Sequence, residues 1–137
     1  MNLIVYSSEE WALVSEDMHF DVFCEHRPRE LNRIDFAVAV WNEAKPIGYV
    51  TCTEYDSKSV YMGYGGALKE QQGKHSSIRA YKMILEDLAH NYARANTLIE
   101  NTNTAMLKLA MSCGFIITGM RVFNGSILLE HSIEWSK

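Results

Sequence analysis

The sequence contains few cysteines, few prolines and no long uncharged apolar run. Its three cysteines, Cys24, Cys52 and Cys113, are odd in number and widely spaced, which argues against a disulfide framework and a Cys-x-x-Cys metal or redox site. We expect three buried thiols. Charge interrupts every apolar stretch and the N-terminus lacks the basic front of a signal peptide, so no membrane partner is expected. These absences favour an intracellular, cytoplasmic protein.

Clustered basic charge is absent as well. The 13 Lys and Arg residues are scattered among 17 Asp and Glu, which gives a net charge of −4. Because nucleic-acid binding depends on phosphate neutralisation, we expect no nucleic-acid partner. The charge is compatible with a cationic substrate such as an amine. We predict no metal site, because convergent spacing with cysteines or carboxylates is missing around His19, His26, His90 and His131.

The composition does provide enough apolar side chains for one core. Hydrophobic residues make up 47% of the 137 positions and charged residues 22%, which is typical of a globular protein. This length suits one domain and is short for two. We therefore predict a single domain over residues 1–137.

The N-terminal part of the chain predicts a strand followed by helices. A strand is expected at 3–6. Ser7 and Glu10 then have the spacing of a capping box, in which each side chain binds the backbone N–H of the other residue. The helical region that follows runs to about Cys24, and Pro28 ends it.

A three-strand meander is predicted next. Its strands are expected at 35–41, at 47–53 and from 60, joined by the polar turns "NEAKP" and "YDSKS". The third strand runs into the glycines of "YMGYGGAL". Glycines inside a strand indicate a bulge or a close backbone approach, and the alternative is a strand that is merely distorted.

The C-terminal half predicts a helix, a short strand at 98–99, a second helix at 103–112 and a hairpin. The first helix has one apolar face, formed by Ile78, Tyr81, Leu85, Leu88 and Tyr92. Gly114 is placed to end the second helix in a left-handed conformation. Asn124-Gly125 is a strong signal for a two-residue hairpin turn. The element order is that of a mixed α+β domain.

A small and polar cluster leads directly into the first of these helices. It consists of Gln72, Gly73, Lys74, His75, Ser76 and Ser77. The first N–H groups of a helix have no intrahelical partner and lie at the positive end of the helix dipole, so small residues there can form a phosphate site. The alternative is structural: Ser76 or Ser77 caps the helix and Gly73 makes the turn.

Two segments resemble the GNAT N-acetyltransferases. "QGKHSS" is similar to the family's acyl-CoA loop, with Gln72 in first position and with His75 and Ser77 replacing the usual small pair. "NTAMLKLAMSCGF" is similar to the helix that follows, with Asn103 at its start and Gly114-Phe115 at its end. The resemblance covers about residues 34–135.

This resemblance implies a fold and an activity. The fold is the GNAT acyl-CoA N-acyltransferase fold, with a mixed central sheet of about six to seven strands and helices on both faces. The activity is transfer of an acetyl group from acetyl-CoA to a primary amine of a small molecule or protein, by direct attack of the amine on the thioester.

The resemblance also implies the residues that hold the cofactor. The backbone of Gly66, Ala67 and Leu68 would bind the pantetheine arm and the acetyl carbonyl, with the N–H near Ala67 as donor to the oxyanion. The segment 72–77, from Gln72 to Ser77, would hold the pyrophosphate. Asn103 would bind the pantetheine, and it serves equally well as a helix N-cap.

The catalytic residues are less clear, because many family members place a proton-donating Tyr where this chain has Ala110. Tyr61, Tyr64 and Glu54 are the remaining candidates for acid and base. Their structural alternatives are packing for the two tyrosines and a solvated carboxylate at the end of a strand for Glu54. A thiol has a pKa not far above neutral, so loss of the acid would slow the reaction without abolishing it.

A second hypothesis from another class stays open. The chain could be a catalytically degenerate GNAT-fold protein with a binding, structural or regulatory role, which the residues at 75, 77 and 110 favour. Short chains of this kind also occur among bacteriophage proteins, which leaves a phage origin open. The sequence does not name the acceptor, and it is compatible with a monomer or a homodimer.

Overall fold

The structure is a computed structural model that describes residues 1–23 and 34–135. In chain order the elements are β1 (Asn2–Ser7), α1 (Ser8–Val14), α2 (Glu16–Phe23), β2 (Phe36–Asn42), β3 (Lys45–Glu54), β4 (Ser59–Ala67), α3 (His75–Asn91), β5 (Arg94–Glu100), α4 (Thr104–Ser112), β6 (Ile116–Phe123) and β7 (Ser126–Glu134). A short 3₁₀ turn, Lys69–Gln71, precedes α3. Within these ranges, no helix has the length and apolarity needed to cross a membrane. The predictions made for Cys24, His26 and Pro28 lie outside the described residues.

The described part of the chain forms a seven-stranded mixed sheet in the order β1-β2-β3-β4-β5-β7-β6. The pairing of β4 with β5 is parallel, and the other neighbours pair in antiparallel fashion. The predicted element order, the α+β class and the mixed sheet are therefore confirmed. The strands are longer than the sequence indicated, β5 most of all, since it extends over Arg94–Glu100.

Helices cover both faces of this sheet, as predicted, and strand alternation explains how. On β2, Val38 and Val40 face the core under α3, which contributes Leu85 and Leu88. Ala37 and Ala39 point to the opposite face, against Trp11 of α1 and Met18 of α2. The two apolar clusters lie on opposite sides of one sheet because successive side chains of a strand alternate between its faces.

The buried face of α3 differs from the prediction at one end. Tyr81, Leu85 and Leu88 are buried as expected, and Tyr92 is buried just beyond the helix. Ile78 is 37% exposed. Ser77, Ala80 and Ile84 are buried as well, so the buried face includes Ser77 and leaves Ile78 at its edge.

The helix end and the hairpin turn follow their local signals. Gly114 has a φ of 104°, and the N–H groups of Gly114 and Phe115 donate to the carbonyls of Met111 and Ala110, both at 3.1 Å. This is the hydrogen-bond pattern of a Schellman C-cap. Asn124 and Gly125 both have positive φ, 48° and 79°, as a type I′ hairpin turn requires.

The cysteine prediction is correct for one residue and wrong for another. Cys52 is fully buried, and burial is the main cause that raises the pKa of its thiol, followed by the charges of Asp87 and Asp35. Cys113 is only partly buried, since it lies at the exposed C-terminal end of α4.

The capping box at the start of α1 is present and supports a stability prediction. The Ser7 N–H donates to Glu10 Oε1 at 2.8 Å, and the Glu10 N–H donates to Ser7 Oγ at 3.1 Å. We expect Ser7→Ala to lower the free energy of unfolding by about 1 kcal/mol, as measured by urea denaturation. Ser8→Ala is the matched control and should be neutral or slightly stabilising, because Ala is the better helix former. Equal losses in both variants would contradict a capping role.

The same contact gives α1 a pH dependence. The backbone N–H of Ser7, followed by its hydroxyl, lowers the pKa of the Glu10 carboxyl below its usual range. A carboxyl whose pKa is lower in the folded than in the unfolded state stabilises the fold above its unfolded pKa. That contribution is lost as the pH falls through the lower, folded pKa.

Candidate active site

The sheet opens between β4 and β5. Their parallel pairing ends at Met62 and Thr97, where the Thr97 hydroxyl donates to the Met62 carbonyl at 2.8 Å. Beyond this point β4 stays paired with β3 as far as Ala67, and β5 stays paired with β7 as far as Glu100. The two strands therefore separate, and a cleft forms between them.

A bulge in β4 lies at the start of this opening. The register with β3 shifts between Val50 and Cys52, so that Thr51 faces two residues of β4. The Thr51 hydroxyl accepts a hydrogen bond from the Tyr64 N–H at 2.9 Å and donates to the Tyr64 carbonyl at 3.2 Å. Gly65 follows, and a Cβ there would lie 2.5 Å from the Tyr49 carbonyl oxygen. The glycines thus mark both a bulge and a close backbone approach, the two features that the sequence indicated.

The ladder between β3 and β4 decides which backbone groups face the cleft. The Leu68 N–H donates to the Ile47 carbonyl at 3.0 Å, so these two residues form a hydrogen-bonded pair. Hydrogen-bonded and non-hydrogen-bonded pairs alternate along an antiparallel ladder. The polar backbone groups of Gly66 therefore face β3, and those of Ala67 face the cleft edge. Of the three residues whose backbone groups were predicted to bind the pantetheine arm and the acetyl carbonyl, Ala67 is the one whose polar backbone groups point away from β3.

The cleft passes through the sheet and has a volume of about 640 Å³. Tyr81 and Met106 line it on the side of α3 and α4, and Thr53 and Tyr61 line it on the opposite side. Among the described residues, Glu100 is its only charged lining side chain. The cleft therefore has an acidic group on an otherwise uncharged wall.

A groove of about 670 Å³ continues from the cleft along the start of α3 and one face of α4. Four residues line both spaces, namely Gly65, Gly66, Asn103 and Met106. In the described ranges, the charged side chains that line the groove are Lys74 and Lys108, with no carboxylate among them. The groove lining thus carries positive charge, whereas the cleft lining carries negative charge.

The polar cluster before α3 divides into residues that line this groove and residues that do not. The lining residues are Gln72, Gly73, Lys74 and Ser77. His75 and Ser76 are outside the lining, and His75 is exposed. The resemblance assigned all six to the pyrophosphate, and the structure brings four of them together.

The structural alternative for the two serines is wrong. The N-cap of α3 is Lys74, which makes no side-chain capping bond. Both hydroxyls act as donors, from Ser76 to Gln71 Oε1 at 2.6 Å and from Ser77 to the Lys74 carbonyl at 2.7 Å. Gly73 does form the turn, with a φ of 77°. The start of α3 therefore carries no side-chain cap.

Asn103 has the structural role that was left open for it. It is the N-cap of α4, and its Oδ1 accepts a hydrogen bond from the Met106 N–H at 3.2 Å. It also lines both groove and cleft. Its use as a ligand for pantetheine stays a prediction.

Of the three catalytic candidates, two lie at the cleft and one does not. Tyr61 and Tyr64 line it. Burial is the main cause that raises the pKa of Tyr61, so its hydroxyl is protonated at neutral pH. Glu54 pairs with Val60 at the closed end of β4, where its carboxylate accepts a hydrogen bond from the Tyr92 hydroxyl. The suggestion that Glu54 could reach an amine in the cleft is therefore corrected.

Several lining residues were missed by the sequence analysis. Ile78 was assigned to the core, and Tyr81 to simple packing on the buried face. Lys108 shares a groove-facing side of α4 with Ala105, Leu109 and Ser112. Their spacing of three and four residues is the signal that could have identified this face.

Ala110 is fully buried and packs in the core. As an alanine, it offers no hydroxyl at the position where many family members have a tyrosine. Within residues 1–23 and 34–135, no group of three or more His, Cys, Asp or Glu side chains is arranged to hold a metal ion.

Comparison with known proteins supports the fold at low sequence identity. No family model and no curated protein match the sequence. An IAA acetyltransferase from Bacillus cereus has a TM-score of 0.76 and 13% identity, over 98% of this chain and 100% of that one. A spermidine N-acetyltransferase chimera from Vibrio cholerae and hSSAT has a TM-score of 0.76 and 17% identity, over 98% and 96%.

A GNAT family acetyltransferase from Elizabethkingia anophelis, with acetyl-CoA bound, has a TM-score of 0.65 and 16% identity, over 73% of this chain and 76% of that one. Together, these similarities and the strand order show that the chain has the acyl-CoA N-acyltransferase fold of the GNAT acetyltransferases. The fold that the two sequence segments predicted is confirmed.

Proposed function

We propose that this chain is an acetyl-CoA-dependent N-acetyltransferase that transfers the acetyl group directly to a primary amine. The observation that carries the proposal is the continuity of a basic groove with a cleft through the sheet, joined at Gly65, Gly66, Asn103 and Met106. Such a path lets a long phosphorylated donor enter from one face and an acceptor from the other. The fold is one on which N-acetyltransferases are built.

The groove fits the phosphates of CoA. Lys74 and Lys108 supply positive charge, and the 17-residue helix α3 begins beside the groove without a side-chain cap. Helix N-termini bind phosphate because the N–H groups lack partners and the dipole is positive there. No carboxylate lies in the described part of the groove lining, so no negative side chain there would repel the phosphates of CoA.

The cleft fits an amine acceptor. Glu100 lines it as the only charged side chain of the described residues, so the local field favours a cationic amine. The amine must lose a proton before its nitrogen attacks the thioester carbonyl. Tyr61 and Tyr64 line the cleft, and we keep them as candidate catalytic residues.

The backbone of Ala67 is suited to bind the oxyanion that forms on attack. Its N–H is directed to the cleft edge of β4, and its carbonyl accepts a hydrogen bond from Gln72 Nε2 at 3.1 Å. A preplaced donor of this kind commonly contributes about 10²–10³ to the rate. Gln72 thus also ties the loop to the strand that carries the donor.

The test is calorimetric titration with acetyl-CoA. We expect the parent protein to bind, and Lys108→Glu to weaken binding by about fivefold, because reversing one exposed charge changes the interaction by about 1 kcal/mol. The matched control is Lys82→Glu, an exposed α3 lysine outside the groove lining, which should leave the affinity unchanged.

Each result separates the hypotheses. Binding that only Lys108→Glu weakens supports the groove as the donor site, and a screen of primary amines then seeks the acceptor. A parent that fails to bind at millimolar acetyl-CoA contradicts the proposal. A parent that binds CoA and acetylates no amine favours the catalytically degenerate binding protein.

A further inference from the structure

A polar cavity of about 250 Å³ adjoins the cleft, and we call it the side pocket. Its lining shares Tyr61, Thr97 and Leu98 with the lining of the cleft. On β5, Ile99 packs in the core under α3, so Leu98 points to the opposite face of the sheet. The side pocket therefore lies on the face from which the acceptor is proposed to enter.

An ion pair forms one wall of the side pocket. The Arg121 Nε donates a hydrogen bond to Glu130 Oε1. Gly119 leaves room for this carboxylate, because a Cβ there would lie 3.0 Å from Glu130 Oε2. The side chain of Arg121 is 61% exposed, and its two terminal nitrogens bind no other group in the described part of the chain. Glu130 thus orients the guanidinium and leaves its terminal N–H groups for a ligand.

A second donor lies on the neighbouring wall. Asn96 and Ser132 form a cross-strand pair between β5 and β7, and the Ser132 hydroxyl donates to Asn96 Oδ1 at 2.5 Å. This bond uses the amide oxygen, and the Asn96 Nδ2 group has no partner among the described residues. The phenol groups of Tyr55 and Tyr61, which are also donors, line the same space. The side pocket therefore offers mainly hydrogen-bond donors, since the carboxylate in its described lining is already in an ion pair.

The register of the strands gives the distance between this wall and the acidic group of the cleft. Arg121 of β6 pairs with Leu128 of β7, and Leu128 pairs with Glu100 of β5. Two strand spacings, about 10 Å, therefore separate the backbones of Arg121 and Glu100. An ammonium attracted by Glu100 and an anion bound by Arg121 can belong to one elongated molecule.

We propose that the side pocket binds a carboxylate at the end of the acceptor remote from its reacting amine, and that Arg121 is the residue that specifies it. The inference rests on the function proposed above and narrows its acceptor to amino acids whose amine and carboxylate lie several bonds apart. A guanidinium matches a carboxylate with two parallel N–H groups, and the Asn96 amide adds a third donor. An acceptor without the anion leaves these donors unpaired.

The test compares two acceptors that differ in charge and not in length, ε-aminocaproate and ε-aminocaproamide. With the parent, we expect kcat/KM to be about tenfold higher for the carboxylate, the size expected for a hydrogen bond to a charged group at a partly exposed site. The difference should lie in the KM for the acceptor. Arg121→Gln should abolish this preference while the KM for acetyl-CoA stays unchanged.

Two variants control for charge and for folding. Lys82→Gln removes one exposed positive charge from α3, outside the side pocket, and should keep the preference for the carboxylate. Arg121→Lys keeps the charge and loses the planar pair of donors, so an intermediate preference is expected. Thermal melts should show all variants folded, because an exposed ion pair contributes little to stability.

A second measurement requires neither turnover nor CoA. The acetylated compound ε-acetamidocaproate, titrated into the parent at millimolar concentration, should shift the NMR signals of the Asn96 amide and the Arg121 guanidinium, and Arg121→Gln should lose the shift at Asn96. If the parent acetylates neither acceptor, this titration decides: shifts that depend on Arg121 support the carboxylate site, and unchanged signals overturn it.

The outcomes separate this inference from the function on which it rests. A parent that binds acetyl-CoA and acetylates both acceptors equally overturns the carboxylate site and leaves the proposed function standing. A parent that does not bind acetyl-CoA overturns the proposed function, and the assignment of the side pocket to the acceptor is then wrong as well.

Discussion

Gly65→Ala should lower the free energy of unfolding by about 2–3 kcal/mol, as expected for overpacking against groups that cannot move aside. The added Cβ would lie 2.5 Å from the Tyr49 carbonyl oxygen and 3.0 Å from Val50 Cα, both of them backbone atoms of β3. This overlap can be removed only if β3 and β4 move apart, next to the bulge that lies opposite Thr51. The cleft wall would shift with them, so acetyl-CoA binding should weaken as well.

The matched control is the next residue on the same strand. A Cβ on Gly66 would meet only Val22 Cγ1, at 3.0 Å, and that methyl group is the end of a side chain that can rotate. Gly66→Ala should therefore change the unfolding free energy by less than about 1 kcal/mol. Urea denaturation of both variants provides the comparison. Similar losses at the two positions would show that general strand propensity, and not the contact with β3, explains the result.

Gly73→Glu should weaken acetyl-CoA binding by at least about 100-fold, which corresponds to about 2.7 kcal/mol. Gly73 lines the groove at the start of α3 and has a φ of 77°. No atom lies within 4 Å of a Cβ built there, so the side chain itself has room. The expected loss comes from a carboxylate next to the site proposed for the phosphates, together with backbone strain at a left-handed position.

Gly73→Asn separates the two causes. Asn tolerates the left-handed conformation better than most residues and adds no charge. Its affinity for acetyl-CoA should stay within a few fold of the parent value, and thermal melts should show all three proteins folded. If Asn and Glu weaken binding equally, the loop requires glycine for its conformation and the charge argument is wrong. If neither variant weakens binding, the groove is not the donor site.

Local signals in the sequence predicted much of the fold. The positive φ angles of Asn124 and Gly125, the left-handed Gly114 and the capping box of Ser7 and Glu10 all depend on a few neighbouring residues. Each of these motifs satisfies backbone hydrogen bonds within one turn of chain, so its sequence pattern is sufficient. For that reason the order of elements followed from the sequence.

The site was less predictable because its parts depend on contacts between distant strands. Glu54 directly follows Thr53, a residue of the cleft lining, but successive strand side chains point to opposite faces, and the Glu54 carboxylate accepts a hydrogen bond from Tyr92. The backbone of Leu68 was predicted to bind the acyl donor, but its N–H donates to the Ile47 carbonyl of the neighbouring strand. Ile78 has core spacing and lines the groove, because periodicity identifies a face without identifying its edge.

The pairing that joins β4 to β5 consists of four residue pairs, Ser59 with Arg94 through Met62 with Thr97. It connects a four-stranded half of the sheet to a three-stranded half, so local opening of the native state is expected to start at this junction. The groove residues belong to both halves, with Gly65 and Gly66 on one side and Asn103 on the other. A ligand that contacts both halves binds the joined state in preference to the separated one, so its occupancy makes this local opening rarer by mass action.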